Sequence, residues 1–233
     1  MYNRGMSWKN EQVSEEETKK ILEVAREMLR VEGDFVELGC YRGDTSLSLA
    51  EVLRGYNRGE MVEKPVENSG EKMLKKVGKS SGKDAERIES TESAKKLWIY
   101  DSFEGLPEKT EVDESVLGVN FKRGELAVTK REVKERFLRA GLPVPVIKKG
   151  WFSNLREIDL PEKIALAFLD GDLYESIKDS LKLVEPKMAD SGVIIVHDYN
   201  NLALPGVARA VDEWLRGKNK KVEVFRSMAI IKN

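Results

Sequence analysis

The hydrophobic positions of this chain alternate between short continuous runs and runs that recur every three or four residues. Short continuous runs bounded by polar residues are typical of strands that are buried on both faces of a parallel sheet. Five such runs cover residues 35–38, 97–101, 144–147, 164–169 and 192–196. The sequence therefore predicts a sheet of at least five strands.

Between these runs, apolar residues recur at helical spacing. A capping box at Ser14 predicts a lead helix that ends near Gly33, and Pro205 can begin the last helix. Further helices are predicted from residue 44 onward, at 128–138 and at 175–188. The alternation of strands and helices predicts an α/β fold with a doubly wound, mostly parallel, Rossmann-like sheet.

The last two apolar runs, residues 222–225 and 228–231, are close enough to form an antiparallel C-terminal hairpin. Residues 55–95 differ from the rest, because they are rich in Lys, Glu, Ser, Gly and Asn and hold few large apolar side chains. Such a stretch contributes little to a core. We therefore predict a single domain over residues 1–233 with a polar surface insertion at 55–95.

The overall charge restricts the class of partner. Lys and Arg number 40 against 41 Asp and Glu, so the formal net charge is −1, which argues against nucleic-acid binding as the main role. With Cys40 as the single cysteine, no internal disulfide forms. No signal-peptide core or membrane-length apolar run is present, so we predict a cytoplasmic protein. Homo-oligomer formation is left open.

The first predicted strand runs into a glycine turn, Glu-Leu-Gly-Cys-Tyr-Arg-Gly, at residues 37–43. Gly39 and Gly43 free the backbone, and the following helix N-terminus can approach a nucleotide-like ligand. The spacing differs from the Gly-x-Gly-x-x-Gly dinucleotide pattern. The turn resembles the first motif of S-adenosylmethionine-dependent methyltransferases, although a turn that needs glycine for geometry alone fits equally well.

Acidic residues stand at the carboxyl ends of three predicted strands, at Asp101, at Asp170 and Asp172, and at Asp198. The carboxyl ends of parallel strands share one edge of the sheet, where such folds bind ligands. A carboxylate in the position of Asp101 can accept ribose hydroxyls. Asp170 and Asp198, with His197 beside them, form a candidate divalent metal site that favours Mg²⁺. Helix capping by Asp172 and a purely structural His197 remain alternatives.

Five strings occur in order at residues 37–43, 101–107, 149–152, 169–176 and 197–199. Asp-Ser-Phe-Glu-Gly-Leu-Pro and Asp-Gly-Asp-Leu-Tyr-Glu-Ser are the specific ones, whereas the glycine turn alone is not. Together the strings resemble the macrocin-type (antibiotic sugar) O-methyltransferases, which are S-adenosylmethionine-dependent class I methyltransferases. The resemblance covers nearly the whole chain except residues 55–95.

The resemblance implies S-adenosylmethionine and Mg²⁺ as cofactors, and methyl transfer to a hydroxyl of a sugar or glycoside-like acceptor. Matched by position, the cofactor-binding residues are Glu37, Gly39, Tyr41, Gly43, Thr45, Asp101, Ser102, Gly150, Trp151 and Asp170. The metal ligands are Asp170, His197 and Asp198, and the general base is Asp172. The family commonly has Asp-Asp where this chain has His197-Asp198, and this departure leaves the exact ligand set and the metal preference of this chain open.

Three other functions fit parts of the pattern. A metal-dependent nucleotide-sugar glycosyltransferase also places Asp-x-Asp after an apolar strand, but the glycine turn and Asp101 argue against it. A catechol-like phenol O-methyltransferase would use the same metal chemistry on another acceptor. A non-catalytic binding module would not need Asp170, Asp172 and Asp198 together.

Overall fold

A computed structural model describes residues 12–59 and 94–232 of the chain. Most of the predicted polar insertion, residues 60–93, lies outside the described residues. Its assignment as a surface insertion, and with it the single-domain boundary, stays a prediction.

The described chain contains seven strands and five α-helices. The strands are β1 (Asp34–Leu38), β2 (Leu97–Asp101), β3 (Val146–Lys149), β4 (Ile164–Leu169), β5 (Met188–Val196), β6 (Lys221–Phe225) and β7 (Met228–Lys232). The helices are α1 (Glu15–Met28), α2 (Asp44–Asn57), α3 (Lys130–Arg139), α4 (Tyr174–Val184) and α5 (Pro205–Leu215). Within the part of the chain that the structure describes, no helix is both long enough and apolar enough to cross a membrane.

The strands form one sheet in the order β3-β2-β1-β4-β5-β7-β6. The pairs among β1 to β5 are parallel, and β7 pairs antiparallel with both β5 and β6. The predicted doubly wound sheet with a C-terminal hairpin is confirmed. The strand order reverses between β1 and β4, which places the expected ligand cleft of such a sheet beside their carboxyl ends.

Two apolar clusters cover the two faces of the sheet. One packs α1, α2 and α3 against side chains such as Phe35 and Phe168, and the other packs α4 and α5 against Leu38 and Leu169. All six residues of β4 are buried because helices cover both of its faces. This rigid centre fixes the strand ends that carry the acidic residues.

Several predicted boundaries are wrong. The lead helix α1 ends at Met28 rather than near Gly33, and β3 covers Val146–Lys149 rather than residues 144–147. Helix α4 ends at Val184 rather than at residue 188, and a 3₁₀ turn at Glu185–Lys187 follows it. Pro186 cannot donate a backbone hydrogen bond, so the regular helix stops before it. Strand β5 begins at Met188 rather than at 192, because its pairing with β4 continues through a register shift between Ile164 and Leu166. Exposed polar residues in that part of β5 conceal the strand from the sequence pattern.

Glu17 joins the lead helix to the C-terminal hairpin. Its side chain is 6% exposed. One carboxylate oxygen accepts hydrogen bonds from the Ser14 N–H at 3.1 Å and the Ser14 hydroxyl at 2.5 Å. The other accepts from the Ser227 N–H at 3.1 Å and the Ser227 hydroxyl at 2.5 Å. Burial raises the pKa of Glu17, but these hydrogen bonds outweigh it, so the pKa is lowered in the folded protein.

We expect Glu17→Gln to lower the free energy of unfolding by roughly 1–3 kcal/mol at neutral pH, since an amide cannot accept all four bonds. Because the pKa of Glu17 is lower in the folded protein, its ionised carboxylate stabilises the fold at pH values above the pKa that it has in the unfolded chain. This stabilisation is lost as the pH falls through the pKa that Glu17 has in the folded protein. The difference in the free energy of unfolding between wild type and Glu17→Gln, measured by urea denaturation, should therefore become smaller at acidic pH. Glu15→Gln, at an exposed position on the same helix, is the control. A difference in unfolding free energy that does not change with pH would contradict the prediction.

Candidate active site

One cleft of about 1020 Å³, including its open mouth, lies at the carboxyl ends of the parallel strands. The parallel hydrogen-bond ladder continues one residue beyond β1, β3, β4 and β5, which aligns these ends. The predicted site residues that line the cleft are Gly39, Tyr41, Asp101, Ser102, Gly150, Trp151, Asp170, Asp172, His197 and Asp198. Glu37 and Thr45 line a smaller pocket that shares Tyr41 and Asp170 with the cleft. Gly43 lies in neither lining, since it is the N-cap of α2.

The glycine turn brings bare backbone against the loop that follows β4. Gly39 has φ +89°, and a Cβ built on it would lie 2.0 Å from the Asp170 carbonyl oxygen. Tyr41 and Gly43 also have positive φ, at 44° and 80°. Any side chain at Gly39 would therefore separate β1 from β4 at the point where the two pockets meet.

Glu37 is a buried carboxyl at 1% exposure, beneath the turn. The Ser46 hydroxyl donates a hydrogen bond to it. Burial raises the pKa of Glu37 well above its usual value, and the carboxylates of Asp170 and Asp101 add to this, although the Ser46 bond opposes it. A positively charged ligand group beside Glu37 would favour its ionised form.

Asp101 is held between the glycine turn and the loop after β2. One carboxylate oxygen accepts from the Cys40 N–H at 2.9 Å, and the other accepts from the Phe103 N–H at 2.7 Å. Each oxygen keeps further acceptor capacity, and the residue lines the cleft. The neighbouring Ser102 hydroxyl already donates to the Gly105 carbonyl at 3.0 Å.

The next part of the wall comes from the segment after β3. The Gly150 N–H donates to the Asp101 carbonyl at 2.9 Å, which fixes Gly150 and Trp151 beside β2. The half-buried Trp151 lines the cleft together with Phe152. This wall offers an aromatic surface that suits a flat ring.

Asp170, His197 and Asp198 converge at the ends of β4 and β5. The Nδ1 atom of His197 lies 3.0 Å from the nearest carboxylate oxygen of Asp170 and 3.0 Å from that of Asp198. One ligand atom from each of the three residues falls within 4.8 Å of the others. The predicted metal residues are thus brought together.

The chemistry of these donors fits a divalent cation. Burial lowers the pKa of His197, but the carboxylates of Asp170 and Asp198 raise it to about 11. The two carboxylates thus favour a proton on the imidazole between them, a position whose negative surroundings also suit a cation. A metal must displace this proton, because only the neutral imidazole is a ligand. Two carboxylates suit Mg²⁺, whereas the imidazole nitrogen also suits Mn²⁺ and other transition metals.

Asp172 lies half-buried in the same cleft, with φ +61°, an uncommon conformation for a residue with a side chain. Burial raises the pKa of Asp172 well above its usual value, and the carboxylates of Asp170 and Asp198 raise it further. A raised pKa increases the proton affinity of the Asp172 carboxylate, which is the property that a general base requires. Asp172 thus lies in the cleft with Asp170 and Asp198, and its role as general base stays a prediction.

The sequence interpretation did not single out several cleft residues. They are Gln12, Leu106, Pro107, Leu126, Phe152, Ser153, Glu175, Ser176 and Asp179. Leu106 and Pro107 belong to a conspicuous string, and helical spacing could have placed Glu175 and Asp179 on one face of α4. The sequence around Leu126 and Gln12 gives no sign that these residues line the cleft, because only the tertiary fold brings their segments there.

A family model described as macrocin-O-methyltransferase (TylF) matches residues 84–227 of the chain. One relative is 29% identical to this chain over 174 residues, which make up 72% of this chain and 54% of the relative. It is the 8-demethyl-8-(2,3-dimethoxy-alpha-L-rhamnosyl)-tetracenomycin-C 4'-O-methyltransferase of Streptomyces olivaceus. The demethyldecarbamoylnovobiocin O-methyltransferase of Streptomyces niveus is 26% identical over 189 residues, covering 79% and 58%. The chain thus spans between half and three fifths of the length of these relatives.

Solved structures support the fold. The O-methyltransferase NovP superimposes with a TM-score of 0.66 at 24% identity, covering 92% of this chain and 79% of that one. The calicheamicin methyltransferase CalS11 gives a TM-score of 0.64 at 18% identity, covering 94% and 80%. Since the family match extends over more than half of the residues, the chain belongs to the macrocin-O-methyltransferase (TylF) family.

Proposed function

We propose that this protein transfers a methyl group from S-adenosylmethionine to a hydroxyl of a sugar or glycoside-like small molecule. The observation that carries the proposal is the single cleft in which the glycine turn and Asp101 meet Asp170, Asp172, His197 and Asp198. Family membership supports the acceptor class, as do the relatives, which include a rhamnosyl-tetracenomycin-C 4'-O-methyltransferase and a mycinamicin III 3''-O-methyltransferase.

The residues around the glycine turn would bind the cofactor. Asp101 would accept hydrogen bonds from the ribose hydroxyls, and Gly150 with Trp151 would border the adenine. The smaller pocket with Glu37 and Thr45 would hold the methionine end, where a positively charged group would favour the ionised form of the buried Glu37 carboxyl. These contacts position the methyl donor, which is the main requirement of such a transfer.

The acidic residues would prepare the acceptor. A sugar hydroxyl is a weak nucleophile at neutral pH, so it must lose its proton to a nearby base. We assign that base to the Asp172 carboxylate. Asp170, His197 and Asp198 would hold a divalent cation, with Mg²⁺ as the proposed metal, and such an ion supplies positive charge that stabilises negative charge on oxygen. The cytoplasmic location stays a prediction, and homo-oligomer formation stays open.

The direct test is an assay with methyl-labelled S-adenosylmethionine over a panel of free sugars, glycosides and catechols, with Mg²⁺, with Mn²⁺ and with a chelator. We expect label in a glycoside and loss of transfer with the chelator. Label in the catechols alone would favour a phenol acceptor. Binding of UDP-sugars without binding of S-adenosylmethionine would overturn the proposal in favour of a glycosyltransferase.

We expect Asp101→Asn to weaken cofactor binding by roughly 1–3 kcal/mol, because one buried partner of the carboxylate is left unpaired. Calorimetry with S-adenosylmethionine measures the change. Asp34→Asn is a matched control, since Asp34 also accepts two N–H donors, from Lys96 at 2.9 Å and Trp98 at 2.8 Å, at the opposite edge of the sheet. Equal affinity in wild type and Asp101→Asn would remove Asp101 from the site.

A further inference from the structure

Asp113 is a buried carboxylate in the segment between β2 and α3, and it is 5% exposed. It ends a short 3₁₀ turn at Glu111–Asp113. One of its oxygens accepts from both the Thr110 N–H and the Thr110 hydroxyl at 2.9 Å, which is a local cap. The other accepts from the Tyr174 N–H at 2.7 Å, across 61 residues of sequence.

The hydrogen bond from the Tyr174 N–H to Asp113 satisfies a backbone donor at the N-terminus of α4. Tyr174 is the first residue of that helix, and its N-cap residue, Leu173, has no polar side chain that could accept from the free N–H groups. Asp113 therefore caps α4 from a distant segment, and its negative charge lies at the positive end of the helix dipole.

Helix α5 packs onto the same junction. A Cβ built on Gly206 would lie 2.0 Å from an Asp113 carboxylate oxygen and 2.9 Å from the Tyr174 Cβ. The absence of a side chain at Gly206 thus lets α5 contact both partners of the bond. The Ser115 hydroxyl donates to the Leu202 carbonyl at 2.7 Å, which joins the segment to the loop that follows Asp198.

The bond to Tyr174 also fixes the turn that carries Asp172. That turn begins where the Asp170 N–H donates to the Leu38 carbonyl at 2.8 Å, and it contains a bond from the Leu173 N–H to Gly171 at 2.7 Å. Asp172, with φ +61°, lies between these anchors. A non-glycine residue keeps this conformation only where its surroundings impose it. Asp113 supplies the anchor on the helical side.

The segment that carries Asp113 also forms cleft wall through Gly105, Leu106, Pro107 and Leu126. We propose that Asp113 is a positioning residue that couples this wall to the placement of Asp172. An acceptor molecule bound against this wall would thereby meet an Asp172 carboxylate whose backbone is already held in place. The proposal rests on the proposed function for the role of Asp172, whereas the mechanical link rests on the bonds described above.

The first test compares Asp113→Asn with wild type by hydrogen exchange and by kinetics. The amide cannot accept at both ends, so we expect faster exchange in residues 171–176. We also expect kcat to fall about 10–100-fold, because a small displacement of a reacting group has costs of this order. The affinity for S-adenosylmethionine in calorimetry should stay within about twofold. Asp159→Asn is the matched control, since Asp159 caps a similar 3₁₀ turn at Glu157–Asp159 without a bond to the cleft.

A second pair of variants removes the bond from the other side and leaves Asp113 intact. Tyr174→Pro deletes the N–H donor at a position where helices accept proline. Tyr174→Ala keeps the donor and removes only the side chain. We expect the proline variant to reproduce the faster exchange and lower kcat, and the alanine variant to resemble wild type.

Unchanged exchange in residues 171–176 in both Asp113→Asn and Tyr174→Pro would overturn the link. Faster exchange with unchanged kcat would overturn the positioning role. If wild type methylates nothing in the panel, the proposed function fails, yet the exchange measurements still decide whether Asp113 holds the turn.

Discussion

Replacing Asp172 with asparagine is expected to lower turnover by roughly 10²–10⁴-fold, the usual contribution of a positioned general base. The amide keeps the size of the original side chain but cannot accept the hydroxyl proton. The raised pKa of Asp172, caused by burial and by the carboxylates of Asp170 and Asp198, indicates a group with appreciable proton affinity. Single-turnover methyl transfer with saturating cofactor and metal measures the effect.

Calorimetry with S-adenosylmethionine provides the control, since the affinity of the Asp172→Asn enzyme should match that of wild type. The decisive comparison is a titration with Mg²⁺. A base that has been removed cannot be replaced by more metal, so the activity should stay low. Recovery at high Mg²⁺ would instead make Asp172 a ligand, and the search for the base would move to His197.

Asp170→Asn and Asp198→Asn are expected to lower the affinity for divalent cations and to regain part of their activity at high metal. An amide oxygen is a weaker ligand than a carboxylate, and each variant also loses the charge that faces His197. Metal titration followed by calorimetry measures the affinity directly, and the activity at rising Mg²⁺ measures the recovery. Full metal affinity in both variants would place the metal elsewhere.

His197→Asp gives a complementary result. It introduces the Asp-Asp pair that the family resemblance implies at this position, and it replaces the candidate nitrogen ligand with an oxygen ligand. We expect the ratio of activity with Mg²⁺ to activity with Mn²⁺ to rise, because Mg²⁺ prefers oxygen. The matching variant His197→Ala should respond to added metal if His197 is a ligand. An unchanged metal ratio in His197→Asp, together with no metal response in His197→Ala, would assign His197 a structural role.

The sequence by itself determined the fold class and the edge of the sheet that carries the site. A continuous apolar run such as residues 164–169 is typical of a strand that is buried on both faces of a parallel sheet. Asp101, Asp170, Asp172 and Asp198 lie at the carboxyl end of such a run or within three residues of it. The cap of the first helix was also predictable from the sequence, because Ser14 and Glu17 form a capping box within three residues.

Only the tertiary structure decided which of these groups meet and what they do to one another. The raised pKa of His197 requires carboxylates from two strands, and the cap on α4 comes from Asp113, 61 residues away. The start of β5 at Met188 likewise depends on pairing with β4, since its own residues there are partly exposed and polar. Sequence patterns report the burial of neighbouring residues, whereas contacts between distant segments depend on how the elements pack in three dimensions.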